Sequence, residues 1–180
     1  MKKFNEIQNF KIISCEAKVG TEALKELHYQ ANEIIFKYNM QFAFPQNAKR
    51  AAKQLTEVFV KIKDLEVKDA AKDKKNEILD KGREIVKSLN EYTANFKYDD
   101  TCVCAIESMC KYQLSNYLQN KEDLTITTGV EMLEQNVVLR DIATDVATNI
   151  NKQPNIKAFV RMQGEVVEIL SKQLQNFSFK

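Results

Sequence analysis

The sequence predicts an all-α protein, a bundle of five to six amphipathic helices in one domain over residues 1–180. Three observations carry that expectation. Only four glycines and two prolines occur in the chain, so few positions can turn tightly or interrupt a helix. Apolar residues recur at spacings of three and four over long windows. Apolar residues make up 44% of the chain and charged residues 29%, enough to build a core and too apolar for a disordered chain.

The first segment, residues 4–19, fits two patterns. Phe4, Ile7, Phe10 and Ile13 form a helical row, whereas Ile13, Cys15, Ala17 and Val19 alternate like a strand. Helix is the preferred reading. With the strand-like run "LTITT" at 124–128 there is also room for a minor two-stranded β-ribbon. Residues 21–42 then form an amphipathic helix with Thr21 as its cap and Leu24, Leu27, Ala31, Ile34, Ile35, Tyr38 and Phe42 as its stripe. Pro45 opens the next, over 46–66, with Leu55, Val58, Phe59, Ile62 and Leu65 inward. A turn is expected over 67–72, inside the run "VKDAAKDKKN" (67–76), which has six charged residues and no large apolar one; with no glycine or proline there, one long kinked helix is the alternative. The helix after it carries Ile78, Gly82, Ile85, Leu89, Tyr92 and Phe96 in line, with Leu79 and Val86 beside them.

Asp99, Asp100 and Thr101 are all good N-caps, so a helix should begin near residue 100. The following helix has Thr128 and Glu131 as a capping-box pair, one stripe at Met132, Leu139, Ile142, Val146 and Ile150, and a second at Val130, Leu133 and Val137. Pro154 opens the last helix. Its seam is Ile156, Val160, Gln163, Val167, Leu170, Leu174 and Phe177, flanked by Phe159, Met162, Val166 and Ile169. That face spans half the helix, too wide for a two-stranded coiled coil.

The cluster "CVCAIESMC" tests for chemistry. On one helix Cys102 and Cys110 lie roughly 80° apart and about 12 Å along the axis, beyond the reach of a disulfide. Cys104 points to the other side. The three thiols cannot converge on one ion, and the Cys-x-Cys-x5-Cys spacing lacks the second ligand pair of a structural zinc site. Cys102 and Cys110 therefore read as small core residues, and Cys104, near a helix start, as the candidate reactive thiol. The single histidine, His28, sits at the edge of its helix stripe and cannot alone build a two-Glu-x-x-His metal site. No nucleophile elbow, P-loop or dinucleotide fingerprint occurs. No catalytic residue, cofactor or metal set is expected.

Net charge is +2 but uneven, with +4 over residues 46–97 and −6 over 98–151. Lys49, Arg50 and Lys53 form the strongest basic cluster, the candidate nucleic-acid contact, although no aromatics interleave it as in single-strand binders. Tyr29, Phe36 and Met40 lie off their helix's main stripe. Phe42, Phe44, Phe177 and Phe179 gather at element ends. Left exposed, such residues mark interaction surfaces. Val130, Leu133, Val137, Phe159, Met162, Val166 and Ile169 are the residues assigned to a protein interface.

No apolar run is long enough to span a membrane, and the N-terminus lacks an uninterrupted apolar signal core. The expected setting is cytoplasmic, or intracellular in a wider sense that includes a virion component, and not secreted. The expected function is a non-enzymatic helical scaffold or adaptor that binds a protein partner or a second copy of itself. The alternatives are a nucleic-acid-associated regulatory or assembly protein, and a cysteine-dependent redox or metal-binding protein.

Overall fold

A computed structural model of the chain describes residues 21–150 and 154–177. The readings at residues 4–19 and at Phe179 lie outside the described residues. Six helices and no strand occur among the described residues: α1 Glu22–Asn39, α2 Pro45–Asp64, α3 Asp69–Asn95, α4 Asp100–Asn120, α5 Ile126–Asn149 and α6 Pro154–Phe177. The fold is all-α. The sequence reading treats 1–180 as one domain; the packing groups the helices into two compact units that divide between Phe96 and Lys97.

In the first unit α2 is the central element, with α1 and α3 both packed against it. Pro45 occupies the first turn of α2, where its missing N–H is no loss. Behind it α2 buries Ala48, Ala51, Leu55, Val58, Phe59 and Ile62. The loop between α1 and α2 is pinned from inside: Phe44 is fully buried, its ring 6.2 Å from that of Phe96, and Tyr92 donates its hydroxyl to the Ala43 carbonyl at 2.7 Å. Phe44, an exposed-patch candidate by sequence, is thus core.

The turn expected over 67–72 is shorter than predicted, because α3 begins at Asp69 and buries Ala71. The reason is a cap that composition hides. Lys75 reaches back and donates to the carbonyls of Lys63 and Leu65, both at 2.7 Å. These last carbonyls of α2 need a donor, and a lysine on the next helix supplies it where a glycine turn would otherwise be required.

In the second unit α5 and α6 pack most extensively, and α4 lies against both. Tyr117, Leu124, Met132, Val166 and Leu170 form a core cluster, with Leu114 and Leu133 packed onto it. The strand-like run at 124–128 is a helix start. Thr125 is the N-cap, its hydroxyl accepting from the Thr128 N–H at 3.2 Å, while the Thr128 hydroxyl accepts from the Thr125 N–H at 3.1 Å. This reciprocal pair replaces the expected Thr128–Glu131 box and removes 124–128 from any ribbon. Two β-branched residues at a helix start look like a strand by composition, yet their hydroxyls satisfy the orphan N–H groups of the first turn.

Candidate functional site

Two surfaces of the first unit stand out. One is a groove between α2 and α3. Thr56, Phe59, Val60 and Lys63 line one wall, Leu79, Gly82, Arg83, Val86, Lys87, Asn90 and Glu91 the other, around about 500 Å³. Its existence depends on Gly82. A Cβ there would meet three atoms of the Phe59 ring at 2.7–2.8 Å, so glycine lets the ring tip rest on the α3 backbone and form the floor. Val60, 51% exposed, stands on the α2 wall. The rim is cationic: Lys63, Arg83 and Lys87 stand against Glu91. Arg83 also pairs with Asp80 and Lys87 approaches Glu91 at 3.8 Å, both solvent-exposed pairs that hold their charges only weakly. The volume falls within the range of ligand-sized clefts.

The second surface is the outer face of α1. Tyr29, Phe36 and Met40 are each more than 60% exposed. At seven and four residues apart they lie in one row along the helix. Glu26, Glu33 and Lys37 border the row; neither glutamate has an ion pair among the described residues. The opposite face of α1 buries Leu24, His28, Ala31, Ile35 and Tyr38.

His28 is therefore central to the buried stripe, not at its edge. It is 2% exposed and its Nε2 has no hydrogen-bond partner. Burial and the charge of Lys74, with a further contribution from Lys81, hold its pKa below the usual 6.5; Glu77 opposes them. It is a neutral core residue at neutral pH.

The cysteines divide as the helix wheel predicts. Cys102 and Cys110 are buried and Cys104 is exposed. Burial raises the Cys102 thiol and pushes Cys110 up to about 11, so both are poor nucleophiles. Among the described residues no group of three His, Cys, Asp or Glu side chains is placed to hold a metal ion. Cys104 lies one turn inside α4, whose start is capped by the Asp99 carboxylate accepting from the Thr101 N–H at 3.0 Å.

The basic trio lies in the first half of α2, with Lys49 and Lys53 exposed and Arg50 half-buried. The residues assigned to an interface do not form one surface. Val166 is in the core at 4% exposure, Leu133 packs onto that core, and Val137, Phe159 and Met162 are half-buried. Val130 and Ile169 are the exposed members, with Ile126 beside Val130 on α5. Sequence reading missed the groove, though one signal was present: Leu79 and Val86 widen the α3 stripe on one flank of Gly82. Among the described residues no helix is long and apolar enough to cross a membrane. Compared with known proteins, the chain matches no family model, no curated protein and no solved structure.

Proposed function

We propose that this protein is a non-enzymatic helical scaffold or adaptor, acting through protein–protein association in a reducing, intracellular compartment. The observation that carries the reading is the α2–α3 groove, an open apolar trough of about 500 Å³ with a cationic rim, on a unit whose helices are otherwise well packed. A trough between two antiparallel helices is the usual receptor for the apolar face of a third. The exposed Tyr29–Phe36–Met40 row adds a second apolar surface of the kind that marks interaction sites. The charged groups in the groove are at its rim, where they steer and orient a partner without being desolvated at the centre.

The test is a photo-crosslinking amino acid at position 60, on the exposed groove wall, activated in intact expressing cells. A discrete protein adduct, reduced when Arg83 and Lys87 are replaced by glutamate, supports the reading. The absence of any protein adduct at position 60 counts against it.

A further inference from the structure

Resting on that reading, we infer that the groove's occupant is the α1 face of a second copy of this chain, with Tyr29, Phe36 and Met40 seated between α2 and α3. Three observations on one unit agree. The first is length. The groove wall on α3 runs from Leu79 to Glu91, about 18 Å of helix, and the row from Tyr29 to Met40 spans about 16 Å at the same rise per residue. The second is chemistry. The apolar lining of the groove includes Phe59, Leu79, Gly82 and Val86, and the row offers two aromatic rings and a methionine, each more than 60% exposed. The third is charge. The groove rim carries Lys63, Arg83 and Lys87 against Glu91, and the row is bordered by Glu26 and Glu33, which have no ion pair of their own among the described residues, against Lys37, so the two surfaces are opposite in net sign.

Within one chain the two surfaces do not meet. The charges that bear on His28 of α1 come from Lys74, Glu77 and Lys81 of α3. These lie on one flank of the buried Ile78–Gly82–Leu89 line, whereas Leu79, Arg83 and Val86 lie on the other. The α1 helix thus occupies one side of the α2–α3 pair and leaves the groove side open. A helix from a second copy would take that place and complete a four-helix arrangement. The contact joins different patches that face opposite sides of the unit, so it is head-to-tail and links copies into a ring or an open chain.

The experiment uses the full chain and two variants at exposed positions, Phe36→Glu on the row and Val60→Glu in the groove. Their exposures of 62% and 51% keep the core intact, and circular dichroism verifies that each variant folds. Sedimentation velocity and native mass spectrometry read the assembly. The expected result is a wild-type mass that is a multiple of the 20.8 kDa chain, loss of association in each variant alone, and recovery of a one-to-one dimer when the two variants are mixed. Only a row-to-groove contact gives that recovery, because each variant retains the half that the other lacks. A monomeric wild type, variants that associate like wild type, or a mixture that stays monomeric would each overturn the inference. A monomeric wild type whose position-60 crosslinker captures a different protein removes the second copy as occupant and leaves the adaptor reading standing. A monomer with no adduct removes both.

Discussion

The buried imidazole of His28 makes stability depend on pH in a direction that can be worked out. Its folded pKa is depressed below 6.5 by burial and by Lys74 and Lys81. Between the folded and unfolded values the unfolded chain binds the extra proton, so stability is complete above about pH 6.5 and falls as pH drops through that window. Thermal melts from about pH 7 down to about pH 5 should show a declining midpoint, and His28→Leu should flatten the decline. An unchanged slope in His28→Leu would assign the acid sensitivity to other groups. The thiols give a second residue-scale expectation. A pulse of iodoacetamide under native conditions, read by peptide mass spectrometry, should label Cys104 and spare Cys102 and Cys110. Both are buried, and Cys110 is protonated well beyond neutral pH at a pKa of about 11. Labelling of Cys110 at the rate of Cys104 would contradict its place in the core.

At the scale of the element, two glycines in helix interiors should respond to alanine with opposite signs. A Cβ added at Gly164 would meet nothing within 4 Å, so Gly164→Ala gains helix propensity and should stabilise α6 by about 0.5–1 kcal/mol. Gly82→Ala gains the same propensity but drives a methyl into the Phe59 ring at 2.7 Å. Overpacking of this kind costs about 1–3 kcal/mol, and the net change should be a loss, with the ring pushed toward the groove. Urea denaturation of the two variants checks both signs. Helix existence was legible from the sequence because six apolar periodicities lie between few breakers. Helix starts were legible where the cap is local, as at Pro45, Asp99 and Pro154. They were not legible where a hydroxyl pair mimics a strand, as at Thr125 and Thr128, or where the cap comes from the next element, as with Lys75 on the carbonyls of Lys63 and Leu65.

For the whole molecule, the α2–α3 groove was hidden from sequence because it is a property of two helices and the gap between them. Val60 falls outside the inward set assigned to α2, and Leu79 and Val86 read as extra width on α3; the contact of Gly82 with Phe59 turns these into one trough. The division into two units was hidden for a similar reason, since no glycine or proline marks residues 95–100. Each unit buries polar groups among its apolar side chains. The first closes around an apolar cluster that includes Leu24, Ile35, Leu55, Ile62, Ile78 and Leu89, and it also buries Asn47, which donates to the Phe42 carbonyl, and His28, whose Nε2 has no partner. The second buries Asn136 and Gln163, at 0% and 1% exposure, as a hydrogen-bonded pair across α5 and α6, and the Gln163 side-chain carbonyl has no partner. A buried amide pair fixes the register of α5 against α6 but gains less than apolar packing, and an unmet carbonyl costs about 1–3 kcal/mol. Leu55 is 1% exposed and Leu170 fully buried, so each truncation to alanine should cost about 2–5 kcal/mol in its own unit. Hydrogen exchange in urea, read separately over α1–α3 and α4–α6, should show Leu55→Ala lowering protection in the first set only and Leu170→Ala in the second only. If both substitutions lower protection equally across all six helices, the two units unfold as one cooperative domain.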